Sequence, residues 1–295
     1  RIKEAGYPVF RFNPEADWTN SGDSDWDYGG KICWSPHKRE RKSNLSWWDQ
    51  SLCADDVGAV FCRHFEFFSP MADAMPAEHL QYAEMKAGIF GFFRLLDDRY
   101  WMNKPWLEDL IDNKIVQSDT ALKFGLKVPR TLVTNDPNEA KTFIAQCANG
   151  AIIKQLSHIA INDDDESVSS GFFTSVIEQS DLPYLDEIEV APCLLQENIK
   201  KKCDVRVNVV GDTLIAYEID SQSRDESEID FRKVQDLPVS EYRLSSVVAD
   251  QLRSILTEWQ IEFAACDLIH SHDDELIFLE ANPSGNWLWL EQDGQ

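Results

Sequence analysis

The last third of this 295-residue chain places charged residues inside runs that otherwise read as buried strand. Asp267 interrupts AACDLI and Glu280 interrupts IFLEAN, while further back Lys154 interrupts AIIKQL. An unpaired charge in such a run is very costly to bury, so each must meet a partner, a ligand or a metal ion.

Strand parity relates two of them. EFAACDLI and ELIFLEANP, joined at HSHDD, read as a hairpin. A two-residue loop at Asp273 and Asp274 sets Asp267 opposite Glu280, and a four-residue loop from Ser271 sets it opposite Phe278. Either register leaves Asp267 on the face shared by Glu280 and Asn282, whereas a one-residue slip breaks the arrangement. Two carboxylates and an amide oxygen on one face suit magnesium, a hard cation that keeps few protein ligands. A strand pair solvated at one rim remains the alternative. A glycosidase-like acid–base pair fits less well, since directly opposed strand carboxylates stand too close for most inverting geometries and the lysines would have no role.

Charge narrows the partners. Asp and Glu number 52 against 28 Lys and Arg, for a formal charge of -24, so no nucleic-acid partner is expected. A hydrophobic fraction of 43% and ten Trp exceed what a disordered acidic chain carries. The seven Cys form no CxxC pair, and no apolar run approaches a membrane span, so a soluble cytoplasmic protein without a membrane partner is expected. RIKEAGYPVF reads as a helix end followed by a strand, and WLWLEQDGQ stops after an apolar run, so both ends are expected to be trimmed.

Along the chain the pattern predicts a mixed α/β protein with α+β lobes. Residues 1–104 combine short strands in YPVFRF, KICW and GAVFCR with a helix over Pro76 to Arg99. From 105 to 195, Asn113 caps a helix stopped by Gly125, VPRTLVT is β-rich, Pro137 opens a helix through Cys147, and GAIIKQL is a buried strand. Nine carboxylates and no Lys or Arg occupy 160–189, where FFTSVIEQSDL reads as a helix. From 196 to 295, DVRVNVV and TLIAYEI flank Gly211–Asp212 as a hairpin, and Ser246 to Trp259 forms a helix packing Val247, Leu252, Ile255 and Leu256. Lys114, Lys154, Arg206 and Arg232 supply cations for phosphate beside the oxygen cluster. No Walker A motif or GxGxxG accompanies them.

The ordered series IIK at 152–154, LLQENI at 194–199, CDVRVNVVGD at 203–212, DFR at 230–232, CDLI at 266–269 and FLEANPSGNW at 278–287 resembles the ATP-grasp ligases. WMNKP at 101–105, NK at 113–114, VPRTLVTNDP at 128–137 and the NPSGNWLWLE ending are similar to the microviridin-type, or graspetide, peptide maturases. The likeness runs through nearly the whole chain. It implies an ATP-grasp fold of three lobes, an N-terminal lobe over 1–104, a central lobe over 105–195 and a C-terminal lobe over 196–295, with ATP between the last two.

The resemblance also implies roles. Lys114 and Lys154 contact ATP phosphates; Glu197 and Asn198 hold adenine, largely through backbone groups; and Asp204 lies at the ribose. Arg206 and Arg232 face the γ-phosphate and the acyl phosphate, while Asp267, Glu280 and Asn282 hold magnesium. The implied partner is a precursor peptide of leader and core, with a homodimer as the implied assembly. The implied reaction phosphorylates a side-chain carboxylate, which a hydroxyl or amine of the same peptide then attacks. No catalytic base is named: His158, His270 and His272 are candidates by residue type alone, and each reads more simply as a surface or loop histidine. Another carboxylate–amine ligase and a non-catalytic peptide-binding relative are the alternatives.

Departures from the family pattern at VFCRHFEFF, DWTNSGDSDWDYGG and HKRERK bear on the substrate rather than the ATP chemistry. HKRERK at 37–42 reads as a solvated loop or as a contact for acidic precursor residues. Nine carboxylates beside a triphosphate would repel it, so most of those in 160–189 must face outward, as a solvated surface or a dock for a basic leader.

Overall fold

The computed structural model describes residues 5–12, 30–36, 42–47, 50–62, 75–156, 161–162, 169–170 and 174–290. The chain divides into two compact units, Arg1–Pro105 and Trp106–Gln295. His158, most of HKRERK, the DWTNSGDSDWDY stretch and Asp163 to Glu166 lie outside the described residues.

In the first unit β1 (Gly30–Ser35), β2 (Lys42–Trp47) and β3 (Gln50–Cys53) form an antiparallel sheet. Next, β4 (Ala59–Phe61) pairs in parallel with β5 (Tyr100–Met102), and α1 (Pro76–Arg94) lies between them in the chain. The expected helix is shorter at its C-terminal end, giving way to turns after Arg94. Only its later half is held: Ile89, Phe92 and Phe93 are buried, whereas Leu80 is exposed. Phe93 meets Trp101 edge to face at 5.7 Å, and the Trp101 indole N–H donates to the Leu96 carbonyl at 2.7 Å. The expected strand in YPVFRF is irregular instead.

Two larger sheets build the second unit. Four strands, β6 (Thr131–Thr134), β7 (Ala151–Lys154), β10 (Ser175–Val176) and β11 (Cys193–Glu197), make one sheet in the order β10-β7-β11-β6. A two-stranded ribbon, β8 (Ile161–Asn162) with β9 (Ser169–Ser170), falls between β7 and β10 in the chain. α2 (Pro105–Ile111) and α3 (Lys114–Lys123) precede this sheet, and α4 (Pro137–Gln146) packs Ala140 and Phe143 on Leu195. The Asn113 carboxamide caps α3 by accepting from the Ile115 and Val116 N–H groups. Gly125, at φ 82°, ends it in the left-handed conformation that glycine adopts without strain. Pro137 occupies the first turn of α4 behind its Asp136 cap.

One helix expectation fails. Ser175 and Val176 pair with Ile153 and Ile152, which covers an edge of β7 that would otherwise stay open. The acidic stretch beyond them turns outward, with Glu178, Asp181, Asp186, Glu187 and Glu189 all exposed.

The other sheet holds β12 (Lys201–Val210), β13 (Thr213–Ile219), β14 (Val239–Glu241), β15 (Phe263–Ser271) and β16 (Leu276–Asn282), ordered β14-β13-β12-β15-β16. Both predicted hairpins are present, and every pairing in this sheet is antiparallel. α5 (Ser246–Trp259) lays Leu252, Ile255, Leu256 and Trp259 on one face, where Val205, Val207, Cys266 and Phe278 meet them. Val247, expected among these, is 64% exposed in the first turn. That face is apolar throughout, so the charges of β12, β15 and β16 must lie on the other.

Candidate active site

Alternation along β12 separates the two faces. Cys203, Val205, Val207 and Val209 enter the helix-covered core, leaving Asp204, Arg206 and Asn208 buried on the opposite side. Arg206 is opposite Asp267 on β15, and Asp267 is opposite Glu280 on β16, so three ionisable side chains form a row across three strands. Arg206 Nε stands 2.9 Å from Asp267 Oδ1. Neither atom makes an aligned hydrogen bond although both are buried. Burial pushes the Asp267 carboxyl up to about 6, with Arg206 pulling it down and Glu280 adding to the rise.

Three cations converge on this row. Lys114, at the first turn of α3, brings Nζ to 3.5 Å from Glu280 Oε2. Arg232 brings Nη1 to 3.9 Å from Glu280 Oε1. Lys154, the last residue of β7, lines the same cleft, and burial pushes its ammonium pKa down despite the nearby Glu280 carboxylate. No ion pair within 4 Å holds Lys154 among the described residues, which suits a side chain that waits for an anion.

Asp230 orients Arg232. It accepts from Nε at 2.8 Å and from Nη2 at 2.7 Å, a bidentate grip, and it caps the short helical turn Phe231–Lys233. The Thr174 N–H also donates to Asp230 Oδ2, at 3.4 Å. Burial alone would raise the Asp230 carboxyl, but these bonds outweigh it and hold the pKa below the ordinary value.

Past Lys154, Ile229 and Leu279 the cleft continues into a second hollow under Gln196, Glu197, Asn198 and Ile199. The Glu197 N–H donates to the Arg130 carbonyl and the Asn198 N–H to the Gly150 carbonyl, so both are engaged within the protein. Asp204 lines the first part of the cleft and pairs with the buried ammonium of Lys201 at 2.7 Å. Lys201 is a residue the sequence reading missed. It stands in a run of three lysines, Lys200 to Lys202, and a register shift between Lys201 and Cys203 accompanies its burial.

Asn282 shares the sheet face of Glu280 but is not among the residues lining the cleft. Its Oδ1 accepts from the Ser284 N–H at 2.9 Å, and its carbonyl accepts from the Gly285 N–H at 3.1 Å. A Cβ at Gly285 would lie 2.4 Å from the Ala265 Cβ, so only glycine fits there. His270 pairs with Asp274 at 3.3 Å, and neither His270 nor His272 lines the cleft.

No group of three or more His, Cys, Asp and Glu is placed to hold a metal among the described residues. The oxygen donors nevertheless fit magnesium. Asp267 Oδ1 is buried without a hydrogen bond, and three cations against four carboxylates line the cleft, so a polyphosphate entering it needs a further cation.

No protein-family model and no curated protein matches the chain. Among solved structures, a RiPP-associated ATP-grasp ligase of Chryseobacterium gregarium, in complex with ADP and a leader and core peptide, superposes with a TM-score of 0.84. It is 27% identical, over 98% of this chain and 85% of that one. The macrocyclase MdnC of Microcystis aeruginosa MRC, bound with its precursor peptide MdnA, gives a TM-score of 0.83 at 27% identity over 98% and 88%.

The chain has the ATP-grasp fold.

A third structure, the macrocyclase MdnB of the same Microcystis strain, repeats the fold at 23% identity with a TM-score of 0.74, covering 97% and 86% of the two chains. In this ATP-grasp fold the cleft between the four- and five-stranded sheets gathers Lys114, Lys154, Asp204, Arg232, Asp267 and Glu280. Arg206 lies behind Asp267, Glu197 and Asn198 stand at the second hollow, and Asn282 is set back.

Proposed function

We propose that this protein is an ATP-dependent peptide macrocyclase. It phosphorylates Asp or Glu side chains of a ribosomally made precursor peptide and joins them to Ser, Thr or Lys side chains as esters or amides. The observation that carries the reading is the convergence of Lys114, Lys154 and Arg232 on the Asp267–Glu280 pair. The fold is shared with ligases solved with ADP and with precursor peptides.

In this reading the central lobe over 105–195 and the C-terminal lobe over 196–295 enclose ATP. The base enters the hollow at Glu197 and Asn198, the ribose meets Asp204, and Lys114 and Lys154 take phosphate oxygens. An oxygen of the peptide carboxylate attacks the γ-phosphorus and ADP leaves. The peptide hydroxyl or amine then attacks the acyl carbon, the C–O bond to phosphate breaks, inorganic phosphate departs, and the nucleophile's proton passes to solvent or phosphate. Arg232, preset by Asp230, and Arg206 offset the charge of the transferring group, so the chain contributes positioning and electrostatics.

Asp267, Glu280 and Asn282 would hold magnesium, which when bound neutralises charge on the phosphate oxygens. A cytoplasmic homodimer belongs to the same reading. No described helix is long and apolar enough to cross a membrane.

Incubation with the cognate precursor peptide, ATP and magnesium, read by mass spectrometry, is the test. Loss of one water per bond is expected. Gain of an amino-acid residue would instead identify a carboxylate–amine ligase, and unchanged peptide with tight binding would identify a non-catalytic binder.

A further inference from the structure

Among the described residues no strand lies beyond β16, where a single parallel bridge joins Lys127 to Ile277, yet Phe278 and Ala281 are buried there and their backbone polar groups need partners. The Phe278 N–H donates to the Lys127 carbonyl at 2.8 Å. At Ala281 a single side chain takes both backbone groups. Gln117 Oε1 accepts from the Ala281 N–H at 2.9 Å, and Gln117 Nε2 donates to the Ala281 carbonyl at 2.8 Å. A peptide unit of a neighbouring strand would pair in the same way. The second Nε2 proton goes to the Ile111 carbonyl, at the end of α2, at 2.9 Å. Gln117 is 2% exposed, so its amide is isolated from water while it joins three segments.

The location of this clamp gives it a role beyond the fold. Gln117 lies three residues after Lys114, on the same side of α3, and Lys114 is the residue that reaches Glu280. Ala281 is the residue between Glu280 and Asn282. A sliding of α3 along β16 would therefore separate the phosphate-side cation from the carboxylate it faces, and would tilt the backbone from which both oxygen donors project.

We propose that Gln117 is a positioning residue for the magnesium–nucleotide site. Its carboxamide fixes α3 and β16 at the offset that sets Lys114 against Glu280 and holds the Glu280–Asn282 backbone in place. This rests on the function proposed above. A staple serving the fold alone would lower stability and leave ligand affinity unchanged in the folded protein, and that difference is measurable.

Manganese with ADP is the probe, with free manganese counted by electron paramagnetic resonance in the full chain. Gln117→Met keeps the side-chain length and loses all three bonds. Gln117→Glu keeps the acceptor for the Ala281 N–H and loses the donors. Thr120→Val is the control, removing a hydroxyl of the same helix that bonds the Val116 carbonyl and receives the Trp259 indole N–H. Both Gln117 variants should bind manganese–ADP about tenfold or more weakly, the usual size of an outer-shell effect, while Thr120→Val stays within about twofold at a similar melting temperature. Wild-type affinity in a folded Gln117 variant would overturn the positioning role, and Gln117→Glu decides it if Gln117→Met does not fold. A wild-type protein that ignores manganese–ADP would overturn the ATP reading itself.

Discussion

Glu280 stands opposite Asp267 across β15 and β16, although Phe278, two residues before it, enters the helix-covered core on the other face of the sheet. In a regular strand residues two apart share a face. Here Leu268 pairs with Phe278 and Asp267 with Glu280, so Leu279 is left over as a bulge. The extra residue reverses the alternation, giving the core its phenylalanine and the cleft its carboxylate, while Leu279 itself lines the cleft.

The Arg206–Asp267 pair beneath that row is buried on both sides. Removing one partner strands the other, so Arg206→Met should cost about 3–5 kcal/mol in urea unfolding. The double variant Arg206→Met with Asp267→Leu should recover most of that loss while remaining inactive. A double variant no more stable than the single one would show that the pair is not where the cost arises.

The raised Asp267 carboxyl sets a pH dependence. Its folded pKa, about 6, exceeds the ordinary carboxylate value, so its contribution to stability is complete in acid and is lost as pH rises through about 6. In metal-free protein, Asp267→Asn should flatten this part of the stability profile. Stabilisation by magnesium should grow over the same window as the carboxylate ionises. Calorimetry from pH 4 to 8, with and without magnesium, measures both effects.

Asp230 grips Arg232 from one side only, so losing the carboxylate should misplace the guanidinium without removing it. Asp230→Asn is expected to lower kcat about a hundredfold, since small misplacements of a positioned group act on the reacting step. KM for ATP should move much less. Equal changes in both parameters would point to a collapse of the whole cleft instead.

Lys154 pulls in opposite directions on stability and binding. Desolvation disfavours its partly buried ammonium in the free protein, so Lys154→Met should melt no lower than wild type at neutral pH, and any advantage should shrink as pH approaches the ordinary lysine range. ATP affinity should fall at least about tenfold, as read by calorimetric titration. A variant that kept its ATP affinity would remove Lys154 from the phosphate site.

Strand parity made Asp267 and Glu280 legible because alternate residues share a face and both carboxylates broke apolar runs. The hairpin obeys neither simple register throughout. Next to the turn His270 pairs with Leu276, the one-residue slip that would have broken the arrangement, and the bulge corrects it before Asp267. No local composition announces such a bulge. The starts of α3 and α4 were readable from Asn113 and Pro137, because a cap's bonds and a proline's fixed φ act within a few residues. Gln117 was not, since its partners are fixed only by tertiary pairing, and Lys201 was not, because its pairing with Asp204 three residues on accompanies an irregularity in the β12–β15 register. The segment at Ser175 resembled a helix by spacing, but the open edge of β7 decided its conformation.

The turn from Asn282 to Gly285 presses against Ala265 so closely that one methyl group has nowhere to go. Ala265 is also the residue opposite Asn282, so crowding at position 285 would be relieved by moving the very backbone that bears that amide. Under the magnesium site proposed above, substitutions at Gly285 or Ala265 should therefore change ion affinity while leaving every donor atom chemically intact. A selection for altered metal preference should find its first mutations there.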